Sequence, residues 1–237
     1  MRTLIWLAAP LLWVAAQAVA DAGAPPATVP PLPVIIDTDV GDDIDDAFAL
    51  APLSNIEALA RRHPDALREL RQVIMMGGSI HAGYNQGGAI PNPEPSAEYT
   101  VASAPGGLAV LLQSKVAVRM FPLDSTQIKF DEVRRDRLFA YGSPASDALA
   151  LLYHQWRLLN SWGQLTPTLF DVVPVAWLLE PSTCPVTPLR IAVDERGNTR
   201  PVSGTANVEV CLTVDENATQ RLIMNALAPV EPSRSEK

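Results

Sequence analysis

The stretch PVIIDTDVGDDIDDAFAL, residues 33–50, decides how the rest of the chain is read. Residues 34–36 are an apolar run of the kind that forms a short buried strand. The run leads into Asp37, Asp39, Asp42, Asp43, Asp45 and Asp46, with Gly41 among them. Carboxylates packed this densely repel one another unless a cation lies between them. An all-oxygen donor set suits a hard divalent ion, Ca²⁺ or Mg²⁺. A strand that ends in a glycine-containing turn delivers these side chains to the carboxyl edge of a sheet, where α/β proteins bind ligands. A solvated acidic loop is the plain alternative. The apolar residues on both sides, 34–36 and 47–50, tie the acids into the fold and favour a metal site.

Upstream, the first 20 residues have the form of an export signal. Arg2 is followed by an apolar core over residues 4–14, and Ala18-Val19-Ala20 fits the small-x-small cleavage rule. The apolar run is short for a membrane span, so the chain reads as exported, periplasmic or extracellular, with no membrane attachment after cleavage. Residues 21–32 are rich in Pro and Ala and read as a spacer. The folded domain is expected over residues 33–228, with a polar tail at 229–237.

The 237 residues carry a net charge of −8 and no basic block, which speaks against a nucleic-acid partner. Cys184 and Cys211 leave two readings open. They pair in an oxidising compartment, or they pack as buried thiols. His63, His81 and His154 fall on surface or helical stretches and suggest no catalytic role.

Downstream of residue 50 the pattern alternates. Ser54 with Glu57 forms a capping-box pattern, predicting a helix from Asn55. Residues 72–76 read as a strand ending at Gly77-Gly78. Residues 79–96 form a long Gly/Pro/Asn-rich loop, a feature that is usually functional in compact domains. A helix is expected from Pro105 to about residue 114, then a strand over 116–121. Helices follow over 131–141, 146–162 and 172–179. Strands at 189–193, 199–202 and 208–213 and a last helix at 215–227 complete the pattern. The class is α/β, with a mostly parallel sheet and helices on both faces.

The acidic stretch resembles the N-terminal signature of the inosine–uridine-preferring nucleoside hydrolases, and further landmarks follow in order. Ala51-Pro52-Leu53-Ser54-Asn55 is similar to that family's Gly-Pro-Leu-Thr-Asn helix start. Residues 73–78 are similar to its strand ending in Met-Gly-Gly, and Ala97-Glu98-Tyr99 to its Ala-Glu-Phe. Asn92 falls where the family keeps a sugar-binding Asn, and Leu169-Phe170-Asp171 is similar to its late Asp. The resemblance implies a Ca²⁺ ion that holds the ribose hydroxyls and a water. It implies Asp39 as general base and metal contact, and Asp46 and Asp171 as metal ligands. After Gly41 the run is two residues longer than the family's Gly-x-Asp-Asp, so either Asp42-Asp43 or Asp45-Asp46 can fill the metal positions; the apolar helix that follows favours Asp45 and Asp46, with Asp43 as an added contact. Asn92, Glu98 and Tyr99 are then the substrate contacts. The implied partner is a nucleoside, cleaved to ribose and free base through an oxocarbenium-like transition state; a homo-oligomer is left open.

Three departures stand out. Phe170 occupies a position where the family often has His, so the group proposed there to protonate the leaving base is missing. Thr100 replaces an Asn. Leu50 runs directly into Ala51, where the family has at least two more strands with their crossovers. The chain therefore reads as an internally shortened nucleoside hydrolase with impaired turnover. Two other readings are kept: a catalytically dead, exported Ca²⁺- and ribose-binding relic, and a phosphatase of the haloacid dehalogenase type built on Asp37 and Asp39 with Mg²⁺.

Overall fold

A computed structural model describes residues 53–85, 88–91, 93–159 and 165–229. The expected signal peptide and spacer, the aspartates at 37, 39, 42, 43, 45 and 46, and Asn92 lie outside these residues. So does the polar tail from residue 230.

The chain enters on helices α1 (Leu53–Arg62) and α2 (Pro64–Glu69), then runs into strand β1 (Gln72–Met76). Helices α3 (Tyr99–Ser103) and α4 (Pro105–Gln113) lead to β2 (Ala117–Phe121). A short α5 (Leu123–Thr126) precedes α6 (Glu132–Ala140), α7 (Pro144–Leu159) and α8 (Val172–Leu179). The last part holds β3 (Val186–Leu189), β4 (Ile191–Val193), β5 (Thr199–Pro201), β6 (Val208–Cys211) and α9 (Glu216–Leu227).

The larger sheet has the order β1-β2-β6-β3. β1, β2 and β6 are parallel, in the register Met75 to Met120 and Met120 to Val210, and β3 is antiparallel to β6. Alternation along these strands sends side chains to two faces. Met75, Val118, Met120 and Val210 pack with Leu53, Leu108 and Leu111 of α1 and α4. Ile74, Phe121 and Cys211 face the other way, against Val173 and Trp177 of α8. Helices therefore cover both faces of a mostly parallel sheet. A further cluster joins Phe130, Leu138 of α6, Leu149 of α7, Leu169 and Ile223 of α9. Among the described residues, no helix is long and apolar enough to cross a membrane.

Several expected boundaries hold because their local chemistry is decisive. β1 spans 72–76 as expected and stops where Gly77 and Gly78 take positive φ values of 154° and 86°. The Asp131 and Asp215 carboxylates accept the N–H groups of Arg134 and Ala218, capping α6 and α9. Three expectations are corrected. The Ser54–Glu57 capping box does not form: α1 already includes Leu53, and Glu57 pairs with Arg61 one turn on. The strand expected at 189–193 is two strands, because the chain changes sheets at Arg190. There the Asn207 amide grips both the N–H and the C=O of Ile191, at 2.9 and 3.0 Å. The helix expected over 146–162 begins at Pro144. The choice left open for the cysteines is decided: Cys184 and Cys211 form a disulfide, and both are fully buried.

Candidate functional site

The carboxyl ends of the parallel strands converge on one edge of the sheet. β1 ends at Gly77-Gly78 and β2 at Pro122-Leu123-Asp124. The pairing continues past the strands, with the Gly77 N–H donating to Phe121 O at 3.1 Å and the Leu123 N–H to Gly78 O at 2.9 Å. A side chain at Gly78 would meet Thr199 Oγ1 at 3.1 Å and Met120 Sδ at 3.3 Å, on a backbone that L residues rarely adopt.

The loop after Gly78 is held by side chains from distant elements. Thr199 Oγ1 accepts the Ser79 N–H at 2.8 Å and donates to Ser79 O at 2.9 Å. The Asp124 carboxylate accepts the Ile80 and His81 N–H groups at 2.9 and 2.7 Å. Gln127 accepts the Asn85 N–H at 2.8 Å and donates to Gly83 O at 3.0 Å. These contacts fix where the loop leaves and re-enters the sheet edge. A cleft of about 480 Å³ adjoins them, with Asp124, Gln127, Ile90 and Thr213 in its lining.

Glu98 is the central acid of this edge. It is only 2% exposed. Its Oε2 accepts the Gly78 N–H at 3.0 Å and the Val101 N–H at 3.1 Å, and its Oε1 the Thr100 N–H at 2.8 Å. The side chain thus caps α3 and ties that helix to the tip of β1. Among the described residues its side-chain hydrogen-bond partner is Tyr84, whose hydroxyl lies 3.5 Å from Oε1. The same hydroxyl accepts the Tyr99 N–H at 3.0 Å.

Asp171 opens α8, the helix packed on β1 and β2. Phe170 before it meets Tyr84 edge to face, with ring centroids 6.1 Å apart. Burial, and next the negative charge of Glu98, hold the Tyr84 phenol above its ordinary range, and the Asp171 charge acts in the same direction. Glu98 and Asp171, far apart in sequence, therefore act on one hydroxyl. Tyr99 stands beside them at the first position of α3 and is 59% exposed.

Of the site residues expected from the sequence, the described structure places Glu98, Tyr99 and Asp171 at this edge. Asp39, Asp43, Asp45, Asp46 and Asn92 lie outside the described residues. Among the described residues, no three His, Cys, Asp or Glu side chains are grouped to hold a metal. His63, His81 and His154 are all exposed. Sequence reasoning passed over Tyr84, Asp124 and Thr199. Asp124, three residues past the end of β2, was a legible signal, but Tyr84 in an aperiodic loop gave none.

A sequence model of the family described as inosine-uridine preferring nucleoside hydrolase matches residues 48–221. This chain belongs to that family. The nucleoside hydrolase match covers β1, Glu98 and Asp171, and begins after the aspartate-rich stretch. It also leaves the phosphatase reading, which rested on Asp37 and Asp39 alone, without support. The pyrimidine-specific ribonucleoside hydrolase RihA of Enterobacter sp. strain 638 is 28% identical over 155 residues, 63% of this chain and 46% of the relative. The chain thus spans about half the length of the curated relatives it matches. Among solved structures, a purine-preferring ribonucleoside hydrolase from Gardnerella vaginalis superposes with a TM-score of 0.59 at 21% identity. That superposition covers 76% of this chain and 60% of the other. A plant nucleoside hydrolase gives a TM-score of 0.64 at 19% identity, covering 76% and 61%. These likenesses establish the nucleoside hydrolase fold.

Proposed function

We propose that this chain acts on ribonucleosides, hydrolysing the N-glycosidic bond to ribose and free base, with turnover impaired by the shortening after Leu50. The observation that carries the reading is the corner formed by Glu98, Tyr84 and Asp171 at the carboxyl edge of a nucleoside hydrolase sheet. Carboxylates gathered at one corner suit a cationic sugar transition state, because they place negative charge where positive charge develops.

The donor chemistry fits a hard divalent cation. Asp171 supplies oxygen from the described edge, and Asp39, Asp43, Asp45 and Asp46 supply oxygen from the N-terminal stretch, with no sulfur or nitrogen in the set. When bound there, Ca²⁺ would orient sugar hydroxyls and make water more acidic. The chain's own groups do the rest. Asp39 takes a proton from the attacking water as the C1′–O bond forms and the C1′–N bond breaks. The departing base keeps the bonding pair and takes up a proton from solvent water, since Phe170 has none to give. Glu98 accepts a hydrogen bond from a sugar hydroxyl, and Tyr99, exposed at the start of α3, contacts the substrate beside it. An export signal would place this activity in the periplasm or outside the cell.

The test is release of reducing sugar from inosine and uridine by the full chain in Ca²⁺-containing buffer. The expected result is slow release that falls at least tenfold in Asp39→Asn. Release unchanged in that variant would overturn the assignment of the base. Binding of nucleosides with no release would favour the catalytically dead relic.

A further inference from the structure

The geometry points to Tyr84 as a substrate-binding residue: its hydroxyl and the Glu98 carboxylate form a donor–acceptor pair that recognises one sugar hydroxyl. This inference rests on the ribonucleoside reading above and adds to it a residue that neither the aspartate motif nor the family's landmarks single out.

Three backbone N–H groups hold Glu98 at 2.8 to 3.1 Å, so its position is fixed by the main chain. An ionised carboxylate has about four acceptor sites, which leaves one for a further donor. Tyr84 takes that place at 3.5 Å, the limit of hydrogen-bond range and the longest of the four contacts. A contact this long gives up little when a better donor arrives. The hydroxyl of a polyol donates and accepts at the same oxygen. It can donate to Glu98 Oε1 while its own oxygen accepts the Tyr84 O–H. Tyr84 Oη is itself held by the Tyr99 N–H at 3.0 Å, so the donor is aimed rather than loose. Tyr84 is only partly buried, whereas Glu98 is almost wholly so.

The surroundings suit a phenol that donates. Burial and the adjacent Glu98 and Asp171 charges disfavour its ionised form, so it stays protonated through the neutral range. The same effect makes it a poor general acid. Tyr84 therefore does not replace the proton donor absent at Phe170, and its role is in binding. The ring contact with Phe170 keeps the phenol beside the head of α8, where Asp171 begins that helix.

The experiment measures binding, not turnover. Calorimetry in Ca²⁺-containing buffer compares wild type with Tyr84→Phe, using inosine and uridine and their 2′-, 3′- and 5′-deoxy forms. Loss of one neutral hydrogen bond is expected to weaken the full nucleosides roughly three- to tenfold in the variant. For one deoxy position, wild type and variant should bind alike, because the hydroxyl that Tyr84 reads is already gone. A purely structural Tyr84 would weaken every analogue by the same factor, and that pattern overturns the inference. Equal affinity of wild type and variant for all ligands also overturns it. A wild-type chain that binds neither nucleoside removes the ribonucleoside reading itself, a result distinguishable from the other two. A thermal melt of Tyr84→Phe shows that the fold is retained, since the ring and its contact with Phe170 remain.

Discussion

Replacing Glu98 with Ala removes the acceptor that joins the β1 tip to α3. The loss has two parts. An N-cap is worth about 1 kcal/mol. The Gly78 N–H is then left buried without its acceptor, at about 1–3 kcal/mol. Together they predict a loss of roughly 3 kcal/mol, or some 6–12 °C in melting temperature for a chain of this size. Glu98→Gln keeps one carbonyl oxygen and the side-chain volume, and turns charge-assisted bonds into neutral ones, so about half that loss is expected. Urea denaturation followed by far-UV circular dichroism gives both values, with the slope checked for constancy. If Glu98→Ala lies within 1 kcal/mol of wild type, the three backbone contacts do not hold this corner, and the placement of a sugar beside it has no fixed point.

Reduction of the Cys184–Cys211 disulfide frees a loop with a sequence separation of 27 residues. On a chain-entropy argument this costs about 3.5 kcal/mol, visible as a lower urea midpoint in dithiothreitol and absent in a Cys184→Ala, Cys211→Ala double variant. Alkaline stability should register Tyr84. Its folded value is raised above the ordinary 10.0, so the folded state keeps a proton that the unfolded state loses. That stabilisation is fully present below pH 10 and declines as pH rises above it, by roughly 1.4 kcal/mol per pH unit for a single group. Urea midpoints between pH 9 and 11 should fall less steeply in Tyr84→Phe than in wild type; parallel curves would contradict the assignment.

The sequence made the frame legible where local chemistry was decisive. The apolar run at 72–76 followed by two glycines admits few alternatives, and β1 ends where the backbone must take positive φ. The apolar segment of α8 coincides with its expected limits, Val172–Leu179. The last helix, expected over 215–227, runs over Glu216–Leu227 with the Asp215 carboxylate as its cap. The failures come from competing partners that the local pattern does not weigh. Glu57 had the right spacing for Ser54, but Arg61 offered it a charged partner one turn on. The break at Arg190 is set by Asn207, whose amide takes both backbone groups of Ile191; nothing near Arg190 in sequence announces it. The site shows the same division. Glu98 and Asp171 stood in recognisable motifs, whereas Tyr84 and Thr199 matter only because the fold brings them to the β1 tip.

If Asp171 and the N-terminal aspartates grip a cation that in turn grips a ribose, the cation and the sugar bind cooperatively. Linkage tests it most directly, because two ligands that share a site must strengthen each other's binding by equal factors. Ca²⁺ is titrated calorimetrically into the full chain with and without saturating ribose, in wild type and in Asp171→Asn. Tighter Ca²⁺ binding in the presence of ribose is expected, with a reciprocal gain for ribose in Ca²⁺ and loss of both effects in Asp171→Asn. Ca²⁺ binding that is indifferent both to ribose and to Asp171 would contradict it.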